Sequence, residues 1–273
     1  MTNELFNRPI GVFDSGLGGF TAVKELRKLL PHEDIVYFGD TGRVPYGTKS
    51  RETILRYAQQ DVDFLLTCKV KMILAACGTV SSNIPKDFAR QLPVPFTGVV
   101  EHACDAAVKA TKNRHIGIIA TPSTIRSGAY EAHIHLIAPD IQVTAAPCSL
   151  FVPLVENGYI QQDNPVTRLV AQQYLAPLKQ ANPDTLILGC THYPLLAPII
   201  SDIMGPEVTL IDSGQTAARY TAQYLQDHAM LCEPCRRGTN RFYVSDSTEG
   251  FADVAGIFLG SDIHGEVTRI HID

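Results

Sequence analysis

Two cysteines of this chain follow short apolar runs of the kind that form β-strands. Cys77 directly follows the run at 72–76, and Cys190 follows the run at 185–188, with His192 two residues further on. A thiol beside the backbone amides that begin a helix has a lowered pKa and is suited to proton transfer or nucleophilic attack. A lone cysteine in such a place is more often a small buried hydrophobic residue. Two at equivalent places favour chemistry.

A glycine-rich turn at 11–19 follows the first apolar run. Its spacing is neither that of a dinucleotide-binding turn nor that of a phosphate-binding loop followed by Gly-Lys. One interpretation is a tight turn in which glycines allow close backbone approach. The other directs Asp14 and Ser15 towards a ligand, where Asp14 would bind an ammonium group or tune Cys77.

Two further segments are candidates for the same site. The loop at 44–48, Val-Pro-Tyr-Gly-Thr, follows the second apolar run, so that it falls on the ligand side of a parallel sheet. Glu156 stands at the corresponding place in the other half of the chain. A glutamate is usually exposed and solvated, but near His192 it would orient the imidazole.

Cys232 and Cys235 form a Cys-x-x-Cys motif, a spacing typical of zinc and redox sites. No second pair of ligands at metal-binding spacing accompanies it. We therefore interpret the motif as a surface turn, with a metal site as the alternative, and expect no metal.

Apolar runs alternate with amphipathic stretches along most of the chain, which predicts an α/β fold with mostly parallel sheets. Helices are expected at 21–30 and 50–66, and another is expected to begin at the capping residues Asp212 and Ser213. The apolar runs are 10–13, 35–38, 72–76, 116–120, 141–144, 185–188 and 208–211.

The chain also aligns weakly with itself, which predicts two pseudo-symmetric domains with the active site in the cleft between them. We expect the first domain at 1–98 plus 213–273, with its C-terminal part packing back on the first half, and the second at 99–212. The matching segments are 10–13 with 116–119 and 35–38 with 141–144, both 106 positions apart, Val44-Pro45 with Val152-Pro153, and Cys77 with Cys190, 113 apart.

Composition narrows the function classes. The 273 residues are 45% hydrophobic, which is enough for well-buried cores, and the formal net charge of -5 without basic clusters argues against a nucleic-acid partner. No apolar run approaches the roughly 20 residues of a membrane span. The N-terminus does not resemble a secretory signal, and the odd number of cysteines favours free thiols. We expect a cytoplasmic protein without membrane association.

Five segments, taken in order, resemble the glutamate racemases of the aspartate/glutamate racemase family. They are DSGLGG, VPYG, the strand-end cysteine before Gly78 and Thr79, FVPLVENG and LGCTHYPLL. The resemblance implies an isomerase that interconverts L- and D-glutamate without a cofactor and supplies D-glutamate for peptidoglycan and cell-wall synthesis. It also implies a small amino-acid substrate and a homodimer.

Residue roles follow from the same resemblance. Cys77 and Cys190 would exchange the α-proton from opposite faces, assisted by Asp14 and His192 respectively, with Glu156 supporting the histidine. The implied substrate contacts are Asp14, Ser15, Tyr46, Gly47, Gly78, Thr79, Thr191 and His192, with Thr121 or Thr124 at a substrate carboxylate.

One position departs from the family pattern, because Gly78 stands where asparagine is usual. Loss of that side-chain amide leaves another acidic amino acid, such as aspartate, as an alternative substrate. A different class of function is a thiol hydrolase built on Cys190 and His192. That reading gives Cys77 no task. A binding protein without catalysis would bind an amino acid but not exchange its α-proton.

Overall fold

The structure is a computed structural model that describes residues 6–85, 87–234, 237–249, 251–259 and 266–272. Strands and α-helices alternate along most of this part of the chain. The strands are β1 (Ile10–Asp14), β2 (Ile35–Gly39), β3 (Met72–Ala75), β4 (Phe96–Thr97), β5 (His115–Ala120), β6 (Gln142–Pro147), β7 (Thr185–Leu188), β8 (Thr209–Asp212), β9 (Asn240–Val244) and β10 (Glu266–Arg269). The helices are α1 (Phe20–Leu29), α2 (Arg51–Thr67), α3 (Gly78–Asn83), α4 (Val100–Ala110), α5 (Pro122–Ser127), α6 (Ala129–Ile137), α7 (Phe151–Glu156), α8 (Pro165–Ala181), α9 (Ala197–Met204), α10 (Ser213–Asp227) and α11 (Phe251–Leu259).

The strands form two sheets, one of six strands and one of four. The first has the order β10-β9-β2-β1-β3-β4 and the second the order β6-β5-β7-β8. Every pairing between described strands is parallel. Parallel neighbours need long crossovers, and the helices supply them. The predicted α/β class with mostly parallel sheets is confirmed, and the C-terminal strands return to the first sheet as expected.

The second sheet repeats the order of four strands in the first, since β2-β1-β3-β4 corresponds to β6-β5-β7-β8. Ile10 of β1 pairs with Met72, and Ile116 of β5 pairs with Thr185. Met72 and Thr185 are separated by the same number of positions as Cys77 and Cys190. The two cysteines therefore follow structurally equivalent strands.

The second strand of the repeat corrects the alignment made from the sequence. That alignment matched Ile35 with Ile141, but Ile35 pairs with Ile10 in the first sheet, and Val143 pairs with Ile116 in the second. The equivalent of Ile35 is therefore Val143, two residues further along. A shift of two keeps every side chain on the same face of a strand, so the hydrophobic pattern cannot distinguish the two registers.

Local chemistry explains where the helices begin. Helix α2 starts after Ser50, whose hydroxyl accepts a hydrogen bond from the backbone N–H of Thr53. Helix α10 starts after Asp212, whose carboxylate accepts from the N–H of Gln215. The Asp212 cap was predicted, whereas Ser50 was predicted as the first residue of its helix and instead caps it. No helix within the described ranges is long and apolar enough to cross a membrane.

A buried ion pair lies at the amino-terminal ends of the strands of the first sheet. This end of the sheet is opposite the one that bears the cysteine. Lys71, directly before β3, places its ammonium 2.6 Å from Glu33 Oε2, and both side chains are almost fully buried. The same ammonium donates hydrogen bonds of 2.8 Å to the carbonyls of Phe6 and Met230. The ammonium of Lys71 thus joins three segments that are distant in sequence, those of Phe6, Glu33 and Met230.

We predict that Lys71→Met lowers the free energy of unfolding by about 3 to 5 kcal/mol, because the Glu33 carboxylate is left buried without its partner. Urea denaturation followed by circular dichroism measures the loss. The control is Lys28→Met, which removes an exposed pair with Glu25 and should cost less than about 1 kcal/mol. Equal losses of stability in the two variants would contradict a stabilising role for the buried pair of Lys71 and Glu33.

Candidate active site

A cavity of about 310 Å³ lies between the two sheets, where the carboxyl ends of strands from both halves meet. This is the usual binding edge of parallel α/β sheets. Among the residues singled out in the sequence, those that line it are Asp14, Ser15, Tyr46, Gly47, Cys77, Gly78, Thr79, Thr121, Glu156, Cys190, Thr191 and His192.

Cys77 comes from the first half, between the end of β3 and the first turn of α3, and is 4% exposed. Its sulfur lies 3.5 Å from the hydroxyl of Ser15. The expectation of a lowered pKa is wrong, because burial, together with the nearby charge of Asp14, raises the pKa of the Cys77 thiol well above its usual value. The polar contact with Ser15 only partly offsets these effects. Cys77 is therefore a protonated thiol at neutral pH.

Asp14 ends β1 and is 1% exposed. Its Oδ2 accepts hydrogen bonds from the backbone N–H groups of Gly16, at 3.2 Å, and Gly19, at 3.1 Å, so the glycine-rich turn holds the carboxyl group in place. Its Oδ1 is buried and has no hydrogen-bond partner in the described part of the protein. An unpaired buried acceptor costs about 1 to 3 kcal/mol. This oxygen of Asp14 is therefore a candidate acceptor for a hydrogen-bond donor of the substrate.

Cys190 follows β7 in the second half, and its neighbours form a relay of polar groups. Its sulfur lies 3.7 Å from Nδ1 of His192, and Nε2 of the same ring lies 3.0 Å from Oε1 of Glu156. The ring is buried, and the ring of Phe258 packs perpendicular to it with ring centroids 5.2 Å apart. Glu156 is half-exposed at the cavity wall.

The charge on His192 follows from these contacts. Burial alone would lower the pKa of the imidazole, but its hydrogen bonds to Cys190 and Glu156 outweigh burial and raise the pKa to about 10. The ring is then an imidazolium at neutral pH, with both nitrogens as donors. A positive charge therefore faces the sulfur of Cys190, whereas a negative charge faces that of Cys77.

Tyr46 was expected to contact the substrate, but its hydroxyl group is bound to other residues of the protein. Its hydroxyl donates a hydrogen bond to the carboxylate of Asp40 and lies 3.3 Å from Asp61 Oδ2, so this group is already engaged by two carboxylates of the protein. Arg43 binds the same two carboxylates. Tyr46 and Gly47 both line the cavity, but the Tyr46 hydroxyl is occupied by protein carboxylates.

Threonine hydroxyls link the two halves at the cavity floor. Oγ1 of Thr79 lies 3.0 Å from Oγ1 of Thr121, which in turn lies 3.0 Å from Oγ1 of Thr124. Thr121 lines the cavity, whereas Thr124 is not among the lining residues and hydrogen-bonds to Thr121. Of the two candidates for a substrate carboxylate, the geometry favours Thr121.

Sequence reasoning missed several residues that complete the wall. The spacing of Val44-Pro45 and Val152-Pro153 was a usable signal, since these pairs line the cavity from opposite halves, whereas Ser149 carried none. Gly16 belongs to the glycine-rich turn, and Val44, Pro45 and Thr48 belong to the loop at 44–48, both of which were candidate segments. The lining residues not assigned to the site beforehand are Pro122, Ser149, Val152 and Pro153.

The Cys-x-x-Cys motif lies elsewhere. The N–H of Cys232 donates to Oε1 of Glu33, and its thiol donates to the carbonyl of His32 at 3.1 Å. Cys235 lies outside the described residues. Within the described residues, no three His, Cys, Asp or Glu side chains converge as a metal site.

Comparison with known proteins defines the class. The family model for Asp/Glu/Hydantoin racemase matches residues 21–221. The chain belongs to this racemase family.

Individual relatives narrow the resemblance further. The glutamate racemase of Geobacter metallireducens is 42% identical, and the match covers 97% of each chain. The crystal structure of glutamate racemase from Francisella tularensis in complex with D-glutamate superposes with a TM-score of 0.90 at 40% identity, covering 98% of this chain and 99% of that one. The Thermus thermophilus enzyme gives 0.87 at 42% identity and 98% coverage of both chains. The resemblance read from the motifs is confirmed.

We predict that Glu156→Gln lowers the pKa of His192 from about 10 towards neutrality, because an amide cannot compensate the imidazolium as a carboxylate does. NMR titration of the ring measures the change. The control is Glu131→Gln, on the exposed face of α6, which should leave the titration unaltered. An unchanged pKa in Glu156→Gln would contradict the proposed pairing.

Proposed function

We propose that this protein interconverts L- and D-glutamate by moving the α-proton between two thiols, Cys77 and Cys190, that face the substrate from opposite sides. The observation that carries the proposal is that each half contributes one thiol, at equivalent strand ends, to one cavity. A racemase must remove a proton from one face of Cα and return one to the other, and two opposed groups do this without reorienting the substrate.

The two thiols have different neighbours and different tasks in the reaction. One cysteine acts as the thiolate base and the other as the protonated acid; the His192 imidazolium lies beside Cys190, and Cys77 holds its proton beside Asp14. The thiolate removes the α-proton from one enantiomer, while the opposite thiol delivers a proton to the other face. The two cysteines have then exchanged states, and the enzyme is set for the reverse reaction.

The carbanion formed at Cα needs stabilisation within the cleft. Hydroxyls of Ser15, Thr79 and Thr191 line the cavity and would bind the α-carboxylate as it gains enolate character. Fixed donors of this kind, in a site that excludes water, contribute several kcal/mol in related chemistry. The unpaired Oδ1 of Asp14 would accept a hydrogen bond from the substrate ammonium.

The domain boundaries and cellular role belong to the same proposal. We assign 1–98 with 213–273 to one domain and 99–212 to the other, because the strands of each sheet fall within these ranges.

The family resemblance further implies a cytoplasmic homodimer that supplies D-glutamate for peptidoglycan. Light scattering of the purified protein tests the dimer, and rescue of a D-glutamate auxotroph tests the role.

The direct test follows the circular dichroism of L-glutamate and of D-glutamate, each incubated with purified protein and no added cofactor. Both signals should decay to zero, because the two enantiomers have equal free energies. If the signal of either enantiomer does not decay, the proposed glutamate racemase activity is refuted.

We predict that Cys77→Ala and Cys190→Ala each reduce racemisation in both directions at least about a hundredfold, which is the scale of a lost general acid or base. The matched control is Cys68→Ala, a half-buried cysteine at the end of α2, which should retain activity. Full two-way activity in either of the first two variants would rule out the two-thiol scheme.

The hydrolase alternative rests on the 3.7 Å contact between Cys190 and His192. It predicts cleavage of glutamate esters or amides by Cys77→Ala at the wild-type rate. The racemase proposal predicts deuterium uptake at Cα from heavy water and no such cleavage. Mass spectrometry of the two reactions separates the alternatives.

A further inference from the structure

A cluster of polar and charged side chains surrounds the hydroxyl of Tyr46, and the proton transfer uses none of them. Asp40 directly follows β2, Arg43 lies three residues further on, and Asp61 is on α2. Neither aspartate has exposed surface. Tyr46 belongs to the loop at 44–48 and also lines the cavity. The cluster therefore connects a buried pair of acidic residues to the wall of the site.

The hydrogen bonds of the cluster indicate where its protons are. Oδ2 of Asp40 accepts from the Tyr46 hydroxyl and from Nε of Arg43, and its Oδ1 accepts from the hydroxyl of Ser245 at 2.7 Å. These donors suit an ionised Asp40. Asp61 accepts from the Arg43 guanidinium through Oδ1 at 3.0 Å, and its Oδ2 lies 3.3 Å from the Tyr46 oxygen. Because the single phenolic proton is donated to Asp40, a hydrogen bond at Oδ2 needs a proton on Asp61.

The charges of the cluster lead to the same result. One guanidinium, that of Arg43, faces two buried carboxyl groups, and its other close neighbour is the uncharged ring of Tyr57, 4.1 Å away. Ionisation of both carboxyl groups would bury an uncompensated negative charge. Burial, together with the charge of Asp40, raises the pKa of Asp61 well above its ordinary value, and Asp14 at the end of β1 raises it further. The guanidinium opposes these effects only in part.

We propose that Asp61 is a positioning residue that carries a proton at neutral pH and donates a hydrogen bond to Tyr46, which fixes the loop at 44–48 at the substrate. The proton allows two buried carboxyl groups to hold one loop without mutual repulsion. Its loss would leave Oδ2 facing the lone pairs of the tyrosine oxygen. The kinetic part of this inference rests on the proposed racemisation. The loop lines the cavity but bears neither thiol, so its displacement should weaken substrate binding more than it slows proton transfer.

Substitutions of Asp61 distinguish a proton-bearing group from a charged one. Asp61→Asn supplies an oxygen to Arg43 and an N–H donor to Tyr46, as a protonated carboxyl group does. Asp61→Leu has a similar volume but offers no hydrogen-bonding atom. The matched control is Asp63→Asn, an exposed position on the same helix. Circular dichroism measures the racemisation of L-glutamate and of D-glutamate by each protein.

We expect Asp61→Asn to keep kcat/KM within about threefold of the wild type, and Asp61→Leu to lower it about tenfold or more, chiefly through KM. Asp63→Asn should match the wild type. If Asp61 were ionised and paired with Arg43, removal of its charge would impair Asp61→Asn as well. Equal losses in Asp61→Asn and Asp61→Leu, or full activity in Asp61→Leu, overturn the proposal.

The proton itself is measured by urea unfolding at several pH values, which does not depend on activity. In the unfolded chain the Asp61 carboxyl group is ionised above about pH 4, so unfolding of the wild type releases a proton that Asp61→Asn does not carry. The stability of the wild type should therefore fall relative to that of Asp61→Asn as the pH rises. The ratio of their unfolding equilibrium constants should change about tenfold per pH unit between about pH 5 and pH 7.

A constant ratio over this range overturns the proposal, because an ionised Asp61 releases no proton there. This measurement decides the matter if Asp61→Leu does not fold. Failure of the proposed function is distinguishable, since wild-type protein would then invert neither enantiomer of glutamate, whereas the pH dependence of unfolding would still report the proton on Asp61.

Discussion

The arrangement of this protein depends on one geometric constraint: the α-carbon of an amino acid has two faces, and a fixed group can serve only one. A second group must approach from the other side at the same time. A duplicated α/β half meets this requirement, because the carboxyl ends of two equivalent sheets face each other across a single cavity. Each half then places a thiol at the end of its third strand, where backbone geometry fixes the position of the side chain.

The two halves differ in the charges that lie near their thiols. This asymmetry has a function in the proposed mechanism. Cys77 lies near the buried carboxylate of Asp14, which favours the thiol, whereas Cys190 faces an imidazolium held by Glu156. Two identical environments would favour two thiols or two thiolates. The unequal environments distinguish the two thiols, and the proposed mechanism needs one thiol and one thiolate so that one removes a proton while the other delivers one.

Much of this arrangement could be predicted from the sequence. Strand β7 was predicted with its observed bounds, and the equal spacing of the cysteines with their strands identified both thiols, because these features depend on local patterns. The pKa of Cys77 was predicted in the wrong direction, since helix-terminus reasoning does not include the burial that the opposite half imposes. The engagement of the Tyr46 hydroxyl by Asp40 and Asp61 likewise depends on contacts beyond the local sequence. No local pattern reports such contacts.

The central claim, that each thiol serves one face of Cα, is tested most directly by α-proton exchange in Cys77→Ala and Cys190→Ala. L-glutamate and D-glutamate are incubated separately with each variant in heavy water, and proton NMR follows loss of the Cα signal. The account predicts that each variant exchanges one enantiomer only, and that the two variants select opposite enantiomers. Exchange of both enantiomers by either variant, or of the same enantiomer by both, would contradict it.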